Sequence, residues 1–172
     1  MKESIYFERG MDMLNRLRMI FFALIAGPLL FFFVSYLMYK NGGLAPSVDL
    51  TSPSLQFTIM GFCIGVVILA YIFYVKQKYD ARRKGSLQEK LQALYKISLV
   101  RYVIQEGACM ISVIAFFLSG EVSMQALYLV LLIGMGLGNP TIFSIMNDLK
   151  LNKQEATIIR QNLPIDEDLQ GR

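Results

Sequence analysis

Four long apolar stretches constrain this chain more than any other feature of its sequence. Each is close to the roughly 20 residues that an α-helix needs to cross the hydrocarbon core of a bilayer. With 55% hydrophobic and 17% charged residues, the chain is too apolar for an ordinary soluble domain. The sequence therefore predicts an all-α fold, an integral membrane four-helix bundle that forms a single membrane domain over residues 1–172. The predicted transmembrane helices cover about 19–39, 55–75, 98–118 and 124–146.

The positions of the lysines and arginines predict the orientation of this bundle. Sixteen of the 17 lie before the first stretch, at or near the connection 76–97, or in the tail 147–172. Lys40 alone lies on the opposite side, in the loop after the first stretch. The positive-inside rule then places both termini and the connection in the cytoplasm of a bacterial-type inner membrane. The net charge of +4 follows from this distribution, so it does not indicate a nucleic-acid partner.

Helix-start signals organise the cytoplasmic connection. Ser86 and Glu89 match a capping box after Gly85, in which each side chain accepts from a free backbone amide at the helix start. No helix-breaking residue follows before Gly107, which predicts one long helix over about 87–118.

The tail contains a second cap signal, Asn152 with Glu155, which predicts a short helix over about 153–162. The acidic end, PIDEDLQGR, is expected to be disordered.

Several kinds of chemistry are excluded by composition. The chain has no histidine, so His-ligated zinc, bis-His haem and His-based acid–base catalysis are absent. Cys63 and Cys109 lie inside predicted spans without a CxxC motif, and we interpret them as packing residues. No nucleophile–base pair or metal cluster is visible, so we expect no enzyme activity, metal or cofactor.

Glycines on the predicted spans mark places of close helix approach. Small residues bring helices together in lipid, where apolar surface alone gives no preference for a neighbouring helix. The contacts lie either within the bundle or against a second protomer or another subunit. The glycines in question are Gly27, Gly61, Gly65, Gly134 and Gly138. Setting Gly27 on Gly107 aligns the first and third spans, which is consistent with two parallel hairpin repeats.

Glu106 is the only acidic residue inside a predicted span. Intramembrane acids usually face the bundle interior or a water path. If Arg101 marks the cytoplasmic interface, Glu106 lies roughly 7–8 Å deeper, at about 1.5 Å per residue. Pro140 cannot donate a backbone hydrogen bond, so we expect a locally broken hydrogen-bond ladder in the fourth span at similar depth. We expect the same in the first span at Gly27-Pro28, which lies at or slightly beyond that depth. The predicted polar or ion-binding layer comprises Glu106, Gln105, Arg101, Asn139, Thr141 and Ser144.

Two interpretations of Glu106 remain open. In one, the carboxyl group is hydrogen-bonded or ion-paired and holds the helices together. In the other, it binds a proton, a cation or a cationic ligand.

The stretch YVIQEGACMISVIAFFLSG resembles the acidic-helix motif of uncharacterised small four-span bacterial membrane proteins. The proline near the end of the last span and the amphipathic segment LKLNKQEATII complete that resemblance, which covers the second half of the chain and implies no known activity. The stretch is also similar to the proton-carrying helix of rotary-ATPase proteolipids. There the glycine-rich helix comes first in the hairpin, whereas GMGLG at 134–138 follows the acidic helix here.

These observations predict a non-catalytic accessory or scaffold subunit of a membrane assembly. The alternative is a small proton or cation transporter or channel that uses Glu106, as a homo-oligomer because four helices enclose little space. The expected partners are the lipid bilayer and either further copies of the chain or a membrane-protein complex.

Overall fold

A computed structural model of the protein describes residues 9–42 and 52–165. Within these ranges the chain forms six helices and no strand, which confirms the all-α prediction. An isolated bridge joins Arg9 to Pro164. The helices are α1 (Gly10–Lys40), α2 (Pro53–Arg82), α3 (Leu87–Ser119), α4 (Val122–Gly136), α5 (Ile142–Leu149) and α6 (Lys153–Arg160).

Three of these helices, α1, α2 and α3, are long and apolar enough to cross a membrane. This finding fits a membrane protein. The predicted fourth span at 124–146 is not one helix, because α4 ends at Gly136 after 15 residues and α5 starts at Ile142. The physical reason is Pro140, which lies in the gap between them and cannot donate a backbone hydrogen bond. At about 1.5 Å per residue, α4 is about 22 Å long.

The first span also contains a proline, but α1 continues through Pro28 to Lys40. A proline removes one backbone donor, and helices in membranes tolerate it where neighbouring groups satisfy the freed carbonyl.

Local signals located the ends of α3 and α6 well. The helix predicted over 87–118 is observed as Leu87–Ser119, and the Glu89 amide donates to the Ser86 hydroxyl over 3.2 Å. The short helix predicted over 153–162 is observed as Lys153–Arg160. After α3 the chain turns at Gly120, whose φ of +69° is a left-handed conformation that glycine adopts without steric cost.

The chain forms two compact units. The polar unit comprises Met1–Ile20, Ile72–Val100 and Asn139–Arg172. Its buried core takes aliphatic side chains from α1, α2, α3, α5 and α6, and it includes the stripe of leucines at the start of α3. The core contains Met13, Leu14, Tyr74, Ala81, Leu87, Leu91, Leu94, Ile145, Leu149, Ile159 and Ile165.

The end of the described chain belongs to this core. Ile165 is buried and Pro164 forms the bridge to Arg9, so the disorder expected for PIDEDLQGR does not extend to these two residues. The remainder, 166–172, lies outside the described residues.

The apolar unit comprises Phe21–Tyr71 and Arg101–Gly138. Its main core is built around Tyr128 of α4, which is fully buried and stacks on Phe32 of α1 with ring centroids 4.6 Å apart. Large apolar side chains cover its outside, as expected for a surface in contact with lipid. The core contains Cys63, Ala108, Cys109, Val113, Leu127, Tyr128 and Leu131.

Candidate functional site

Glu106 lies on α3 within the apolar unit and is half-buried. A Cβ atom placed on Gly27 of α1 would lie 3.8 Å from its Oε1 atom, so the carboxyl group packs against the glycine that precedes Pro28. Within the part of the chain that the structure describes, the Glu106 carboxyl group has no hydrogen bond and no ion pair. The interpretation of Glu106 as an ion-paired lock between helices therefore gains no support from its contacts.

Gln105 adds a second polar group beside Glu106. Its Oε1 atom is buried and accepts no hydrogen bond from any described residue. A buried amide oxygen without a donor is costly, and such exceptions call for a specific explanation. The Glu106 carboxylate can bind a proton or a cation, whereas the Gln105 amide oxygen can accept a hydrogen bond or coordinate a cation.

Arg101 is used differently from the expectation. Its guanidinium donates to the carbonyl oxygen of Gly138 over 3.2 Å, and the Tyr102 hydroxyl donates to the same oxygen over 2.9 Å. The carbonyl lies just past the end of α4, where the last helical carbonyls lack partners within the helix. Both side chains therefore serve to satisfy the end of α4.

Gly138 leaves room for the close approach of Arg101. A Cβ atom there would lie 2.5 Å from a guanidinium nitrogen of Arg101 and 3.1 Å from the Met135 carbonyl oxygen. The glycine predicted to mediate helix packing thus provides room for a side chain from α3.

The other three predicted layer residues belong to the polar unit. Thr141 is the N-cap of α5, and its hydroxyl accepts from the Ser144 amide over 3.1 Å. Asn139 is exposed. Pro140 is buried, and its carbonyl accepts from Arg18 Nε of α1 over 3.0 Å. Thr141 and Ser144 form a local helix cap, so the single layer expected from the sequence remains a prediction.

The strongest polar cluster of the polar unit was not predicted. Asp148 of α5 pairs with Lys78 over 2.9 Å and accepts from the Tyr74 hydroxyl over 2.6 Å. Its backbone carbonyl accepts from Arg82 Nε over 2.6 Å. The three donors are spaced by four residues on α2, so they lie along one face of that helix. That spacing is the sequence signal that could have indicated a common partner.

A second ion pair joins α3 to α6. Lys90 Nζ lies 2.6 Å from Glu155 Oε1, and the two side chains are 14% and 9% exposed. The other oxygen of Glu155 accepts from the Asn152 amide over 2.9 Å, while the Asn152 side chain accepts from the Glu155 amide. This confirms the capping box predicted at Asn152 and adds a tertiary partner to it.

A surface cavity of about 580 Å³ opens beside this ion pair. Its lining comes from the segment before α3, from α3 itself and from α6. The residues that line it are Gly85, Lys90, Asn152, Lys153, Gln154, Glu155, Thr157 and Ile158.

The remaining predicted packing glycines leave open surface. A Cβ atom on Gly61, Gly65 or Gly134 would meet no atom within 4 Å. Gly61 and Gly65 are four residues apart on α2 and therefore share one face of it. Among the described residues, none comes within 4 Å of a Cβ atom placed at either position.

The two cysteines are fully buried in the apolar core. In the described ranges, no group of three or more histidine, cysteine, aspartate or glutamate residues is placed to hold a metal ion.

Comparisons with protein-family models, with curated proteins and with solved structures found no match to this chain.

Proposed function

We propose that the protein is an integral inner-membrane protein that acts as a non-catalytic accessory or scaffold subunit of a membrane assembly. In this proposal it crosses the membrane four times, with both termini in the cytoplasm. The fourth crossing consists of α4 and the residues that follow it to about 146.

The observation that carries the proposal is the open face of α2 at Gly61 and Gly65. Lipid chains are as apolar as the helix surface, so a helix gains no specific neighbour from hydrophobicity alone. Pairs of small residues four apart instead let a second helix approach closely. Since no described residue of this chain occupies that face, a helix of another subunit is the occupant that we propose.

A mild-detergent pull-down tests this role. The tagged wild-type protein should recover a stoichiometric membrane partner, and Gly61→Leu should lose it because the leucine blocks close approach. Gly107→Leu is the matched control, since a Cβ at Gly107 on α3 also meets no atom within 4 Å. Recovery of the tagged chain alone, or equal loss in both variants, would count against the proposal.

The orientation has a separate test by cysteine labelling from outside the cell. Cys63 and Cys109 are 0% exposed, so they give little background in the folded protein. A cysteine replacing Ser47, which lies outside the described residues, should react with a membrane-impermeant maleimide, whereas one replacing the exposed Lys84 should not. Reaction at position 84 alone would reverse the orientation.

The second candidate function is proton or cation transport by an oligomer, supported by the unpaired Glu106 carboxyl group and the buried Gln105 oxygen. In proteoliposomes the wild-type protein should then conduct protons or a cation. Glu106→Gln should abolish the flux, and Glu121→Gln, which changes an acid in the turn before α4, should not. Absence of any flux in the wild-type protein would refute this function and leave the scaffold proposal intact.

A further inference from the structure

Charge is divided unequally between the two units. Over the full sequence, the polar unit contains 15 lysines and arginines against ten acids, whereas the apolar unit contains two against three. The net charges are therefore +5 and −1. Because the chain passes between the units inside α1, α2 and α3, each of the three membrane-length helices continues directly into the basic unit. Anionic lipid headgroups attract basic segments that adjoin a membrane helix.

The cavity beside α6 is a specific site in this basic unit where an anionic group could bind. Its volume of about 580 Å³ lies within the range of 300–1,000 Å³ that is typical of small-ligand sites. Lys90 and Lys153 line it from two different helices. Arg83 and Lys84, both exposed, directly precede Gly85 of the lining. Two basic side chains thus line the cavity, and two further basic residues precede its Gly85 along the chain.

Of the two lysines that line the cavity, Lys153 is the one available to bind an anionic ligand. Lys90 is held by Glu155, and both oxygens of Glu155 are already occupied by Lys90 and by the Asn152 amide. Lys153 is exposed and has no acidic partner among the described residues. Gln154 is exposed beside it and adds amide donors, while Ile158 supplies an apolar wall.

We propose that this cavity binds the headgroup of an anionic phospholipid, with its phosphodiester group at Lys153 and its glycerol carbons against Ile158. The proposal rests on the membrane placement argued above and is independent of any protein partner. A phospholipid is favoured as the occupant because it presents an anionic phosphate and an apolar body together, which match the two kinds of lining.

Native mass spectrometry of the full-length protein in mild detergent tests the proposal. With equal amounts of phosphatidylglycerol and phosphatidylcholine, the wild-type protein should retain the anionic lipid preferentially. Lys153→Gln should weaken that retention about fivefold, the effect of about one lysine near an anionic surface. Lys153→Arg should keep it, which distinguishes lost charge from a misfolded site.

Lys96→Gln is the matched control. Lys96 is exposed in the polar unit but lies outside the cavity, so this variant loses the same charge and should keep wild-type retention. Equal losses in Lys96→Gln and Lys153→Gln would indicate diffuse attraction and overturn the proposal. Equal retention of the two lipids by the wild-type protein would also overturn it. So would displacement of the lipid by an equimolar amount of glycerol phosphate, which would indicate a site for small anions. The pull-down of a protein partner does not enter this measurement, so the two proposals can fail separately.

Discussion

The polar and apolar units bury different side chains beneath opposite kinds of surface. Leu87, Leu91 and Leu94 form the centre of the polar unit at no more than 2% exposure, under a surface with an excess of basic residues. The apolar unit buries Cys63 and Ala108, yet it leaves Leu69 66% exposed. The two cores therefore differ in kind: mainly aliphatic side chains fill the first, whereas small and aromatic side chains are prominent in the second.

The two units also differ in the kind of polar contact that joins their helices. The polar unit joins its helices through ion pairs, Lys78 with Asp148 and Lys90 with Glu155. The apolar unit joins α3 to the end of α4 through side-chain donors to one backbone carbonyl, that of Gly138. In the membrane placement that we propose, the end of α4 lies where backbone groups must be satisfied within the protein, which accounts for the donors from α3.

The largest expected change in the free energy of unfolding comes from a leucine-to-alanine substitution, made once in each unit for comparison. Leu91→Ala should lower the free energy of unfolding by about 3 kcal/mol, because it leaves a cavity in a closed aliphatic core. Leu69→Ala should change it by less than about 0.5 kcal/mol, because lipid fills the space on an exposed face. Denaturant titration of the purified protein in bicelles measures both values. Equal losses would remove the distinction between the two cores.

The sequence predicts those features of the fold that depend on residues close together in the chain. Apolar stretches of membrane length predicted α1 to α3, and Ser86 and Asn152 with their partners three residues on predicted where α3 and α6 start. Local chemistry sets each of these features, so the sequence is sufficient to find them.

Contacts between distant segments were missed for a physical reason. Asp148 meets donors that lie 66 to 74 residues away, and no local pattern indicates which acid will face them. The contact between Gly27 and the Glu106 carboxyl group is likewise tertiary, although both residues were identified as candidates. The sequence thus identifies candidate residues, but not the partners that the fold gives them.

A smaller effect is expected at the ion-paired cluster of the polar unit. Asp148→Asn should cost about 2 kcal/mol of unfolding free energy, because it leaves the partly buried Lys78 ammonium without its counter-charge. Asp80→Asn is the control: Asp80 is an exposed acid on α2, and its loss should cost less than about 0.5 kcal/mol. The same bicelle titration measures both variants, and equal effects would show that the Asp148 cluster is not a specific link between α2 and α5.

The smallest effect is expected at the Gly138 carbonyl of the apolar unit. Tyr102→Phe should cost about 0.6 kcal/mol, the average for a side-chain hydrogen bond in a membrane protein, because Arg101 continues to donate to the same oxygen. In an Arg101→Gln background the same substitution should cost more, since the carbonyl then loses both donors and a buried unsatisfied group costs about 1–3 kcal/mol. Tyr71→Phe, at an exposed tyrosine of the same unit, should be neutral in both backgrounds. If Tyr102→Phe is also neutral in both backgrounds, the end of α4 does not depend on donors from α3. The difference in polar contacts between the apolar unit and the ion-paired polar unit would then have no effect on stability.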